Sequence, residues 1–256
     1  TNERVFKNIN YLSANRGSQK RTLSNKSEND IDEIVLDFFK YKDKYLYSLE
    51  EYAKTLPELE RNFIGLFKNH KIIFFEKVLN ILEIEGTLDI VRYENVISVI
   101  YIKQKDRKVA LADLGFGFSQ LIPIVLKIIN TVESNSEILI IEEPEANLHP
   151  NLQSKLADIF ALTVKTFPRP NLIIETHSEY LIRKLQYLTA KGDISPDDTS
   201  IYYFNADKYV SPQEPKVKQI EIRENGNLSD TFGPGFYDET TRLQFDLMKL
   251  NQEQNN

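Results

Sequence analysis

Four aliphatic residues in a row, Ile138 to Ile141, run directly into Glu142 and Glu143, and Glu145 follows one proline later. A short run this apolar fits a strand buried on both faces, the kind that parallel sheets use. Carboxylates closing such a strand repel one another and resist desolvation, so a cation or a chemical task has to compensate them. That requirement points to folds in which the carboxyl ends of buried strands open onto a ligand site.

The pattern around this run is periodic. Helix 119–133, strand 137–142, helix 150–166, strand 171–175, helix 178–190 and strand 199–205 alternate, which is the rhythm of an α/β fold with a largely parallel sheet flanked by helices. Upstream, residues 5–13 read as one strand and the polar residues to about 30 as a loop. From Asp30 to about Glu83 apolar residues recur at three- and four-residue spacing, interrupted at Pro57, which predicts a helical subdomain. Residues 87–92, 96–102 and 108–113 are short and partly alternating, as in a small meander. From 216 onward the chain offers one strand, the turn Glu224–Asn227, a Gly/Pro-rich stretch and a last short helix. The resulting division is 1–29, strand and loop of the core; 30–114, helical subdomain and meander; 115–206, the α/β core; 207–256, a C-terminal region.

Two more strand or helix ends carry chemistry. Strand 171–175 closes on Glu175 and is followed by Thr176, His177 and Ser178. Gly115 and Gly117 precede Ser119 and a helix, so Ser119 is expected at or near the N-cap and Pro123 in the first turn. Such a helix start leaves amide N–H groups aimed at solvent, ready for an anion. The glycines serve equally for a tight turn, and His149 leaves two readings open, a role at the site and a packing or capping role. Together, acids suited to magnesium, a histidine at the neighbouring strand end and a phosphate-ready helix start suggest a nucleoside triphosphate.

Composition narrows the rest. The chain has no cysteine, so any metal binds through oxygen or imidazole and no disulfide forms. A net charge of −6 argues against unaided coating of nucleic acid; Arg16, Lys20, Arg21 and Lys26 form the best basic patch and read as a solvated loop. No apolar run is long enough for a membrane span and the first residues lack a signal-peptide core, so a cytoplasmic location is expected.

In order and spacing these motifs resemble the C-terminal half of an ABC-type AAA ATPase of the OLD, RecF and SMC-like class, a P-loop NTPase. "ILIIEEPE" is similar to the Walker B strand, "EANLHP" to the D-loop, "ETHS" to the switch-histidine loop, and "LGFGFSQ" to a variant of the signature motif that departs from the usual "SGGQ". The tail is similar to a short C-terminal domain of unknown function from one bacterial branch. The resemblance implies ATP and Mg²⁺ as cofactors, Glu142 holding the metal, Glu143 and His177 as catalytic residues, and nucleotide contacts from Gly117, Ser119, Gln120 and Asn147. It also implies a homodimer closed around the nucleotide, with a partner nuclease or other effector in phage defence or DNA transactions. The Walker A pattern G-x-x-x-x-G-K-[ST] is absent from the sequence. The expectation is therefore an incomplete ATPase, the C-terminal portion of a longer chain or one part of a naturally split protein, with negligible turnover by itself. Two rival readings stand beside it: a metal-dependent nuclease, and a nucleotide-gated scaffold for an effector nuclease.

Overall fold

The aliphatic run forms the middle strand of a three-stranded parallel sheet. The computed structural model describes residues 9–14, 23–24, 73–93, 97–110, 113, 115–133, 137–206, 210 and 215–254. The helical stretch expected from 30 to 72 and the basic loop from Arg16 to Lys26, apart from Leu23 and Ser24, lie outside those residues. The chain divides into two units, Thr1–Ser178 and Glu179–Asn256.

The first unit holds strands β1 (Ile9–Leu12), β2 (Leu23–Ser24), β3 (Thr87–Tyr93), β4 (Ile97–Lys103), β5 (Lys108–Ala110), β6 (Ile138–Glu142) and β7 (Asn171–Glu175). Its helices are α1 (Phe116–Glu133) and α2 (Pro150–Thr166), with a further helical segment at 73–81. Strands β1, β6 and β7 lie side by side in that order, all parallel, with Leu12 opposite Ile141 and Glu142 opposite Glu175. Parallel neighbours need a crossover, and α2 supplies it between β6 and β7. One sheet face, carrying Leu12, Leu139 and Ile141, is buried. On the other face Ile9, Tyr11 and Ile173 are about half exposed, so burial on both faces is not complete across the sheet.

Among the described residues helix α1 supplies the largest share of the buried apolar side chains. Leu121, Ile122, Ile124, Val125, Leu126, Ile128 and Ile129 are all buried, a helix apolar nearly all round. It packs against β1 and β6, and each such side chain contributes about 1.5–3 kcal/mol of transfer free energy. The helix begins at Phe116, three residues earlier than the sequence predicts. Gly115, at φ 98°, takes the left-handed turn that admits the chain to the helix, and Gly117 is accommodated inside it. Ser119 therefore sits within the first turn instead of capping it. Pro123 falls inside the helix, where it denies the Ser119 carbonyl its usual intrahelical donor.

Helix α2 starts as predicted at Pro150. His149 caps it, its Nδ1 accepting the Asn151 N–H at 3.4 Å, so the structure realises the capping reading of His149. At the other end the Phe167 ring packs on Phe74, 5.0 Å between centroids, and nearer the helix start Lys155 reaches Glu83 at 3.0 Å. These contacts fasten residues 73–86 to α2. The expected meander is present: β3, β4 and β5 pair antiparallel, with β2 on the other part of β4.

The second unit contains α3 (Glu179–Ala190), β8 (Ser200–Phe204), β9 (Val217–Glu221) and α4 (Glu239–Gln254). Here the structure corrects the sequence reading. Strand β8 pairs antiparallel with β9 and forms a sheet of its own instead of extending the parallel one. Antiparallel pairing with the next strand in sequence needs no helical crossover, and the Ile201–Ile220 pair gives the two strands a shared apolar side. The predicted turn at Glu224–Asn227 closes on Gly226 at φ 79°, where a Cβ would stand 2.7 Å from the Gln186 carbonyl oxygen. The Gly/Pro-rich stretch folds into an aromatic cluster of Phe232, Phe236 and Tyr237 against Tyr203, with the Arg183 guanidinium 4.1 Å from the Tyr237 ring centre. Burial raises the Tyr237 phenol's pKa above its ordinary value, against the opposing pull of Arg183. The last helix runs for 16 residues, longer than the short one expected. No helix among the described residues is long and apolar enough to cross a membrane.

Candidate functional site

The site begins where β6 and β7 stop. Their last paired residues are Glu142 and Glu175, and the Glu143 N–H donates to the Glu175 carbonyl at 2.9 Å, one further rung. Glu143 then turns to φ 39°, a left-handed backbone that few non-glycine residues adopt and that costs about 1–3 kcal/mol. That reversal ends the ladder. The following turn is held by Ala146 N–H on the Glu143 carbonyl at 2.9 Å and Leu148 N–H on the Glu145 carbonyl at 3.0 Å. Asn147 also has positive φ, 62°, which asparagine tolerates best among residues with a Cβ.

On this scaffold His177 and Glu143 meet: Nε2 lies 4.0 Å from Oε1, with the side chains 72% and 43% exposed. The pair is an ion pair only when the imidazole is protonated. At 4.0 Å the two groups can share one water molecule without hydrogen-bonding each other. Glu142 faces the neighbouring strand instead. Its Oε2 accepts the Ala14 N–H at 3.4 Å, and its carboxylate takes the Tyr11 hydroxyl. That hydrogen bond, with desolvation and the negative charges of Glu142 and Glu175, raises the Tyr11 phenol's pKa.

A second layer holds the His177 loop. Glu145 is buried and its Oε1 accepts the His177 N–H at 2.5 Å. The Ser178 hydroxyl donates to Gln153 Oε1 at 2.7 Å, Gln153 Nε2 donates to the Leu148 carbonyl at 2.9 Å, and the Ser178 N–H reaches Thr176 Oγ1 at 3.0 Å. The sequence-predicted residues Glu142, Glu143 and His177 thus gather at two adjacent strand ends, with Asn147 in the same turn. Gly117, Ser119 and Gln120 occupy the first turns of α1, which meets the turn from another direction: a Cβ on Gly117 would touch Leu152 Cδ1 at 3.0 Å and Leu148 Cδ2 at 3.7 Å. Gln120 is buried. Sequence reasoning missed Tyr11, Gln153 and the part played by Glu145; only the strand register reveals the first, and no local pattern signals the other two.

Among the described residues no group of three or more His, Asp and Glu is placed to enclose a metal ion by itself. Mg²⁺ bound with a triphosphate asks for less, one or two carboxylates with phosphate oxygens and water completing the octahedron. Glu142, partly exposed at a strand end, fits that smaller donor set.

Comparison with known families agrees with the α/β architecture. Residues 1–182 match the family model of the AAA ATPase domain, and residues 194–250 match that of a protein domain of unknown function, DUF3696. No curated protein matches the chain. The first match takes in the parallel sheet, its flanking helices and every acid and histidine of the site, on an α/β architecture of the P-loop type that binds and hydrolyses ATP. The chain belongs to the AAA ATPase domain family.

Proposed function

We propose that this chain supplies the Walker B, D-loop, switch-histidine and signature parts of an ABC-type ATPase of the OLD, RecF and SMC-like class, and that two copies close around Mg²⁺-ATP. The observation that carries the reading is the His177–Glu143 approach of 4.0 Å at the ends of adjacent parallel strands. Glu143 accepts the proton of the attacking water, a role open to a partly exposed carboxylate beside the His177 ring. His177 orients that water or the γ-phosphate from the same loop system. Glu142 would hold Mg²⁺, whose charge neutralises the phosphate oxygens when bound. Gly117, Ser119 and Asn147 would offer oriented N–H groups and amides to a nucleotide on the partner copy, whereas the Gln120 side chain, also expected there from the sequence, is buried within this chain and does not reach it. The Walker A lysine is absent from the sequence, so in this reading the phosphate cradle comes from outside these residues and the chain by itself turns over negligible ATP. The same reading places the complete protein in the cytoplasm, coupled to an effector such as a nuclease.

The test is Glu143→Gln in the complete protein. Its kcat falls by about 100-fold or more while ATP binding is retained, the loss typical of a general base. Undiminished hydrolysis refutes the assignment.

A further inference from the structure

We infer that Glu145 is a positioning residue that sets the His177–Glu143 pair by gripping the His177 backbone; the inference rests on the ATPase reading above. Glu145 is only 8% exposed, and burying a carboxylate is costly unless its oxygens find donors. Only one does. Oε1 accepts the His177 N–H at 2.5 Å across 32 positions of sequence, while Oε2 is buried with no hydrogen-bond partner among the described residues. An apolar side chain would fill this position without that cost. The interaction that the carboxylate does make is with the residue whose ring faces Glu143.

The connectivity gives the contact its meaning. Glu143 and Glu145 belong to one tight turn, closed by the 2.9 Å bond from Ala146 N–H to the Glu143 carbonyl. The same turn therefore carries one member of the pair and anchors the backbone of the other. On the following residue the Ser178 hydroxyl runs through Gln153 to the Leu148 carbonyl, also in this loop. Residues 177 and 178 are stitched to 145 and 148, whereas the His177 ring itself is 72% exposed and has no burial to fix it. Removing Glu145 releases the amide of His177 and widens the range of Nε2 positions about Glu143. Misplacement of about 1 Å at such a pair lowers turnover as much as 100-fold.

The complete protein is assayed as wild type, Glu145→Ala, Glu145→Gln, His177→Ala and the double variant Glu145→Ala/His177→Ala. Glu145→Ala lowers kcat about 10- to 100-fold with the KM for ATP within about twofold. Amide exchange at His177 accelerates in it, while the amides of Ile140 and Ile141 in β6 keep their protection. Glu145→Gln retains an acceptor oxygen and recovers most of both losses. Because Glu145 acts through His177, adding Glu145→Ala to His177→Ala changes kcat little further. Losses that multiply in the double variant overturn the inference, as does a Glu145→Ala protein with unchanged kcat and unchanged His177 exchange. Should Glu145→Ala unfold, the unaltered protein still decides: its His177 amide exchanges slowly if the tether holds, and exchange as fast as an exposed loop overturns it. A wild-type protein without ATP turnover sinks the functional reading and leaves the exchange measurement to judge the tether.

Discussion

The Tyr11 hydroxyl donates to the Glu142 carboxylate at the carboxyl ends of two neighbouring parallel strands, and this bond is the first cause of the phenol's raised pKa. The sign of the consequence follows. A group whose pKa is higher folded than unfolded contributes its stability below the unfolded value, near the ordinary 10.0, and loses it as pH rises through the folded value. The contribution of the Tyr11 hydroxyl is therefore present at neutral pH and is lost on the alkaline side. Replacing Glu142 with Ala removes the acceptor and its charge together, so the Tyr11 titration moves back down toward 10.0. Carbon-13 tyrosine NMR without nucleotide, with Tyr11→Phe to assign the resonance, measures it. An unmoved titration would show that Glu142 does not hold the hydroxyl. The same carboxylate is the proposed magnesium ligand, so Tyr11 and the Ala14 N–H keep it oriented at the strand end before any cation arrives.

At the scale of elements, the two faces of the parallel sheet make unequal demands. Leu139 on β6 is fully buried, while Ile173 on β7 is 52% exposed and on the opposite face. Leu139→Ala is expected to cost about 2–5 kcal/mol and Ile173→Ala less than about 1 kcal/mol, read from urea unfolding midpoints. Equal losses would mean that the Ile173 face is covered. This asymmetry also marks what the sequence could disclose. The aliphatic runs of β6 and β7, and the Pro150 start of α2, announce themselves because strand burial and helix initiation are local signals. The start of α1 does not, since a left-handed Gly115 outweighs the capping preference of Ser119. Nor does the partner of β8, because an apolar strand reads the same whether its neighbour runs parallel or antiparallel. At the site Glu142, Glu143 and His177 are legible as strand-end residues. The contacts of Tyr11 with Glu142 and of Glu145 with His177 join distant parts of the chain, and only the fold brings them together.

For the whole molecule the proposed cycle depends on a second copy reaching the start of α1. The first amides of a helix have no intrahelical acceptor and carry its positive dipole end, which suits them to a phosphate presented from outside. The turn before Ser119 rests on Leu148 and Leu152, so a nucleotide held by the opposite copy would meet a surface already backed by packed side chains. Ser119→Arg adds a long, charged side chain at that helix start and leaves Glu142, Glu143 and His177 unsubstituted. ATP binding by a single copy should survive, whereas the dimer that ATP draws together should not. Introduced into the complete protein in a Glu143→Gln background, which preserves ATP, the substitution is expected to abolish the nucleotide-dependent rise in mass seen by light scattering. Undiminished dimerisation would reject the contact at Ser119, while leaving the Glu143–His177 pair to be judged by hydrolysis. Loss of ATP binding itself would place Ser119 in the chain's own nucleotide site and reverse the assignment of which copy it serves.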